Sequence, residues 1–344
     1  MPTRDPCLIG ARPRAGDLPQ LGDALLDRYL EFVASRARPN TVKATVSDLR
    51  AFFAVVAKDP VEVTTEDVLG FIAEQRQPRP GRANVIRLSD GEGGLSARTI
   101  QRRLASVSGL FSFLVMIDAV AANPVPRGMT TRRSRGRRGN VPLVRTPRTL
   151  PKILDPDEVD ALIAALRRWR DRAMVEAMVL GGLRRCEVLG LRMEDLRPGE
   201  GRVFIAEGKG GHQRLIPISR RFFRTLSVYL DAERPADATT ERVFVALKGR
   251  RRGEPLSEDG LDEIIRAARQ RAGLAHASCH ELRHTCLTRL REAGMALEAV
   301  QAQAGHRSIE STRVYLHLAN DWLAAEYLRA AEALEAARVE AVAR

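Results

Sequence analysis

At 344 residues and 44% hydrophobic content, the chain is long enough for two domains, each with its own core. A formal net charge of +13 points to a polyanionic partner, nucleic acid ahead of an acidic membrane surface. No apolar run approaches the roughly 20 residues that span a bilayer, which excludes a helical membrane protein.

The first residues, MPTRDPCLIG, offer no apolar segment of the kind that directs secretion. The cysteines Cys7, Cys186, Cys279 and Cys286 form no C-x-x-C pair. Both features predict a cytoplasmic protein with reduced thiols and no membrane partner. Of the 56 basic residues only five are lysines, at 43, 58, 152, 209 and 248. An isolated arginine therefore says little, and a lysine in a special place says more.

Residues 1–20 are rich in Pro, Gly and Arg and are expected to be a mobile tail. Residues 21–126 read as all-helical. Apolar residues recur at helical spacing in LGDALLDRYLEFVAS. Pro39-Asn40-Thr41 starts a second helix, and Thr64-Thr65-Glu66-Asp67 caps a third. Ser96 caps a fourth, which must end before Asn123-Pro124. Residues 127–152 carry nine basic residues and no acid, with Pro and Gly between them, which predicts a basic linker. Its Arg132, Arg133, Arg135, Arg137 and Arg138 are candidate phosphate contacts.

Residues 153–320 read as the second domain, mixed in structure. Asp155-Pro156 starts a helix, and DRAMVEAMVLGG forms the next. Two short strands, RVFIAEG and QRLIPIS, flank the glycine turn Gly208-Lys209-Gly210-Gly211, which presents one of the few lysines. Residues 219–231 and 257–272 read as helices joined by LKGRRRGEP, whose Arg250 and Arg251 are further phosphate candidates. The stretch 279–317 gathers His280, Arg283, His284, His306 and Tyr315. His280 and Arg283, at i and i+3, share a helix face. The pattern breaks at Gly294, resumes at Ala296 and breaks again at Gly305. Ser308 can cap a last short helix carrying Tyr315. Imidazoles and a guanidinium can hold a phosphodiester while a phenol attacks phosphorus.

This arrangement resembles the tyrosine recombinases, the phage-integrase and Xer-like family. The family's His-x-x-Arg box stands as His280-Glu281-Leu282-Arg283, its Gly-His as Gly305-His306, and its nucleophile as Tyr315-Leu316-His317. The first Arg box stands as Gly182-Leu183-Arg184-Arg185-Cys186-Glu187, where Glu187 can orient Arg184. Lys209 matches the family's hairpin lysine. His212 stands where many members have a second lysine, Ala304 where Leu is common and Gly181 where Thr is frequent. None of these departures removes a reacting group.

The resemblance implies a mainly α, overall α+β fold: a helical, SAM-like core-binding domain and a catalytic domain with a small antiparallel sheet. It implies site-specific integration or recombination of double-stranded DNA by a homotetramer, with room for an accessory directionality factor, as in a mobile genetic element. It also implies catalysis by Tyr315, Arg184, Lys209, His280, Arg283 and His306, with no cofactor. His284 is expected to pack beneath the site. Residues 321–344 form an Ala-rich amphipathic helix, docked in trans on a neighbouring protomer or packed on their own domain.

His280-Glu281-Leu282-Arg283-His284 is also an H-E-x-x-H zinc signature. Arg283 would set a fixed positive charge beside that metal, and Arg184, Lys209 and Tyr315 would go unexplained, so no metal is assigned. A catalytically silent DNA-binding protein fits the charge equally well but has no need of Tyr315 and its supporting residues.

Overall fold

The computed structural model describes residues 20–77, 94–126, 128, 143–145, 151–206 and 213–305. The chain divides into two compact units, Met1–Arg148 and Thr149–Arg344.

In the first unit the expected helices form at their caps. Helix α1 (Ala24–Arg36) starts where Asp23 accepts from the Leu25 and Leu26 N–H groups. Helix α2 (Pro39–Val56) begins with proline, whose missing N–H is no loss in a first turn. Helix α3 (Thr65–Arg76) opens on a reciprocal capping box between Thr64 and Asp67. Helix α4 (Ala97–Met116) opens where the Ser96 hydroxyl accepts from Thr99 N–H. Each helix turns an apolar stripe inward. Leu30, Leu49, Phe52, Phe71, Ile100 and Phe111 are fully buried, and the Phe52 ring meets those of Phe53 and Phe71 at 5.1 and 5.0 Å. One carboxylate, Asp48, is buried among them. It accepts from Arg102 at 2.6 Å and Ser106 at 2.9 Å, tying α2 to α4. Within the stretch expected to be a linker, Val144 is 3% exposed and packs on this helical core.

The second unit is built around helix α6 (Trp169–Gly181). It lacks a polar face because it is covered on all sides, and nearly every residue from Arg170 to Gly181 is buried. Helix α5 (Pro156–Ala164) precedes it and α7 (Arg185–Gly190) follows. Strands β1 (Leu196–Arg197), β2 (Arg202–Ile205) and β3 (Arg214–Pro217) form an antiparallel sheet in that order. Ile205 pairs with Arg214 at the end of the ladder. Strand β1, two residues long, is too short to leave a periodic signal. Helices α8 (Arg220–Ala232), α9 (Glu258–Arg271), α10 (Cys279–Glu292) and α11 (Leu297–Ala304) complete the described unit. Helix α6 packs against α8 and α10. The breaks expected at Gly294 and Gly305 are both left-handed glycines, with φ of 90° and 60°. The N-terminal tail before Gln20 and the segments carrying Ser308 and the C-terminal helix lie outside the described residues.

Phe52→Ala should cost about 3–5 kcal/mol of stability, because its site is walled by other rings and collapses poorly. Phe52→Leu should cost markedly less. Denaturant unfolding of both variants checks the ranking.

Candidate active site: three arginines on one buried carboxylate

Helix α6 ends at Gly182, whose φ of 68° turns the chain back on itself. A β-carbon there would meet Leu287 Cδ2 at 3.2 Å. The reversal places Arg184 at the cap of α7 and Glu187 one turn on, where Glu187 Oε2 accepts from the Arg184 backbone N–H at 2.9 Å. The Glu187 side chain has no exposure at all. A lone carboxylate in such a place would cost several kcal/mol, so it must be paired.

Two arginines bond to it and a third stands close. Arg184 Nη1 donates to Oε1 at 2.7 Å. Arg214 donates through both terminal nitrogens, Nη1 to Oε1 and Nη2 to Oε2, each at 2.9 Å. Arg283 Nη1 stands 3.9 Å from Oε2. Burial pushes the Glu187 carboxyl up, but the hydrogen bonds and charge of Arg214, with those of Arg184, more than offset it and hold the group at about 2. Three cations and one anion leave a formal charge of +2 in one small volume.

The other anchor is the end of α11. Its last carbonyls have no helical partner and carry the negative end of the helix dipole. Arg283 Nη2 donates to Ala304 O at 2.6 Å, and its Nη1 donates to Gly182 O. Arg184 Nη2 donates to Gly305 O at 3.1 Å, and Arg214 Nε to Gln303 O at 3.4 Å. The Gln303 amide ties the same turn to Gly181 O at 2.8 Å and Pro217 O at 3.0 Å. Segments 21 to 122 residues apart are thereby fixed to one another.

Arg283 and His280 stand on α10, as the spacing predicts, but they divide between inside and outside. Residues three apart on a helix differ by about 60° in direction, and α10 meets the core between them. Arg283 is 2% exposed, whereas His280 is exposed. His284, expected to pack beneath the site, stands beside His280. It is half-buried, and its Nε2 lies 2.8 Å from His280 Nε2, because residues four apart share a face. Glu281 turns aside to His276, 3.5 Å away.

Arg184, Glu187 and Arg283 are thus brought together by α7, α10 and the end of α11, with the His280–His284 pair on the outer face of α10. Lys209, His306 and Tyr315 lie outside the described residues, as do Arg132, Arg133, Arg135, Arg137 and Arg138. Arg250 is exposed at a loop tip; Arg251 beside it pairs with Glu254 at 2.7 Å, a surface contact of little energetic weight. The sequence reading missed Arg214 and Gln303. Arg214 did leave a signal. Side chains alternate along a strand, so Arg214 shares the inward face with buried Ile216, an unusual place for a cation.

Two helices and a strand thus gather three guanidiniums around one buried carboxylate. Comparison with known proteins carries this further. Residues 152–321 match the phage integrase family, and residues 26–116 match the phage integrase N-terminal SAM-like domain. The tyrosine recombinase XerD of Listeria monocytogenes serotype 4b (strain F2365) is 30% identical over 309 residues, covering 86% of this chain and 94% of that one. Among solved structures, a lambda integrase(75–356) dimer bound to a COC′ core site matches with a TM-score of 0.60 at 20% identity, over 85% of this chain and 94% of that one. A lambda integrase tetramer bound to a Holliday junction matches with a TM-score of 0.59 at 20% identity, over 84% and 76%. The chain belongs to the phage integrase family and is a tyrosine-type site-specific recombinase.

Glu187→Gln should destabilise the fold by about 3–5 kcal/mol, because it leaves buried guanidiniums without their anion. Since folding depresses the Glu187 pKa from 4.5 to about 2, its contribution is complete above pH 4.5 and is lost as pH falls through about 2. Melting curves of the wild type should therefore lose more stability between pH 5 and 3 than those of Glu187→Gln.

Gly305→Ala sets a β-carbon 2.9 Å from the Arg214 guanidinium, on a backbone with φ of 60°. It should cost more than the roughly 1 kcal/mol of a left-handed residue alone. A double-mutant cycle with Arg214→Met should show the excess disappearing once the guanidinium is gone.

Proposed function

We propose that the protein breaks and rejoins duplex DNA by two transesterifications at the scissile phosphate. The Tyr315 oxygen bonds to phosphorus, and the bond from phosphorus to the 5′-oxygen breaks. This leaves a 3′-phosphotyrosyl link and a free 5′-hydroxyl. The phenol proton passes to His280, since an imidazole can take up a proton where a phenol, with an ordinary pKa near 10, needs help to lose one. The leaving 5′-oxygen takes its proton from Lys209, since an ammonium can release one and a guanidinium effectively cannot. A 5′-hydroxyl from a partner strand then attacks the phosphotyrosine, and the steps reverse. One phosphodiester is exchanged for another, so no ATP is consumed, and the guanidiniums do the work of charge neutralisation without a metal.

The observation that carries this reading is the net positive cluster on Glu187. Charge grows on the non-bridging oxygens as phosphorus becomes pentacoordinate. Arg184 keeps 19% of its side chain exposed and has N–H groups left to offer. Arg283 lies deeper, 3% exposed, and adds its charge from below while holding the end of α11. The Gly305 turn that Arg184 grips leads directly into His306, which supplies a further donor.

The helical unit and the basic stretch 127–152 would clasp the duplex through phosphate contacts, Arg132, Arg133, Arg135, Arg137 and Arg138 among them, with Arg250 at the second unit's tip. Four copies would act on two sites. The lambda integrase tetramer on a Holliday junction supports this plan, and the helix expected at 321–344 is suited to link neighbours. The protein would work on DNA in the cytoplasm.

Covalent capture tests the proposal. The protein is incubated with DNA from its host and the flanking element in the presence of chelator, quenched in detergent, and the protein-linked DNA is sequenced. Linked DNA that vanishes with Tyr315→Phe is the expected result. DNA that is bound but linked in neither protein would refute the proposed cleavage.

A further inference from the structure

The proposed chemistry asks Arg184 to present positive charge to a phosphate, yet its nearest neighbour is a fully buried carboxylate. A one-to-one pair of Arg184 and Glu187 would be neutral. It would also close into the two-pronged contact that guanidinium and carboxylate prefer. The observed contact is different. The Arg184 side chain reaches Glu187 through Nη1 alone, and its Nη2 turns to Gly305 O. The two-pronged contact belongs to Arg214, which takes both Glu187 oxygens at 2.9 Å.

We infer that Arg214 is a positioning residue for strand transfer: it engages and neutralises Glu187 so that Arg184 is free to meet the scissile phosphate. Three features suit it to this role. Its strand face points inward beside Ile216, so the guanidinium is delivered to the carboxylate with its side chain only 12% exposed. Its Nε is directed at Gln303 O, which fixes the plane of the fork. Gly305 packs against its Cζ and Nη1 with no space for a β-carbon, so the fork is held from both sides. A lysine could supply the charge but not the two-point contact.

The inference rests on the reading of Arg184 as the group that neutralises the phosphate, and the test separates the two. Covalent-complex formation is measured on DNA duplexes carrying either the normal scissile phosphodiester or a methylphosphonate there. Replacing one non-bridging oxygen by methyl removes the charge that the arginines must neutralise. Wild type, Arg184→Ala, Arg214→Met and Arg214→Lys are compared, each first shown to bind the duplex.

On the phosphodiester, Arg184→Ala and Arg214→Met should each be slower by on the order of 100-fold, the usual loss when one donor to a developing anion is removed. Arg214→Lys should fall between them and wild type. On the methylphosphonate, the gaps to wild type should shrink to within about tenfold. If Arg184→Ala is relieved but the Arg214 variants stay equally slow on both substrates, Arg214 serves the fold only and the inference fails. Arg214 variants that cleave the phosphodiester at the wild-type rate also overturn it. If Arg184→Ala itself is not relieved, the reading of Arg184 fails and the inference falls with it. Should Arg214→Met prove too unstable to bind DNA, Arg214→Lys alone decides by the same criterion.

Discussion

The second unit depends on one buried negative charge. Glu187 sits where water cannot reach it, so its ionised form survives only through its contacts with arginines. Those arginines come from the cap of α7, the first residue of β3 and the buried face of α10. One electrostatic requirement thus fixes a helix cap, a strand and a helix against one another. The same guanidiniums then have donors left for the carbonyls that end α11. The carboxylate gathers the cations, and the cations hold the turn that leads to His306.

This arrangement joins stability to function. A cluster of cations alone would repel itself, and a set of matched pairs would have nothing to offer a substrate. Three guanidiniums around one carboxylate satisfy both needs, with net charge left over for an anion. The glycines belong to the same logic. Gly182 and Gly305 take left-handed conformations that end α6 and α11, and both are approached by side chains where a β-carbon would stand. Their lack of a side chain lets the arginines and α10 come close to the backbone. The helical unit uses a smaller version of the device, with buried Asp48 held by Arg102 and Ser106 across α2 and α4.

The His280–His284 contact belongs to the solvent side of α10, while Arg283 belongs to its core side. One short helix therefore presents a pair of imidazoles outward and a buried guanidinium inward. Helix α10 is also clasped from its buried side. The Thr285 hydroxyl donates to Glu281 O and accepts from Leu154 N–H, and Arg289 donates to Leu154 O. The chain entering the second unit is thus secured to the helix that carries His280.

Much of this was legible in the sequence. The hydroxyl caps at Thr64 and Ser96 mark helix starts because they satisfy orphan N–H groups locally. Glycines at 294 and 305 mark stops because only they adopt a left-handed turn at no cost. The motif order from Arg184 to Tyr315 identified the family, and the spacing of Arg184 and Glu187 announced their pairing. Tertiary structure alone decided that Arg214 shares that carboxylate and that Arg283 turns inward. Local rules reach about one helical turn along the chain. These outcomes depend on partners far away in sequence, chosen by which buried charge most needed an opposite one.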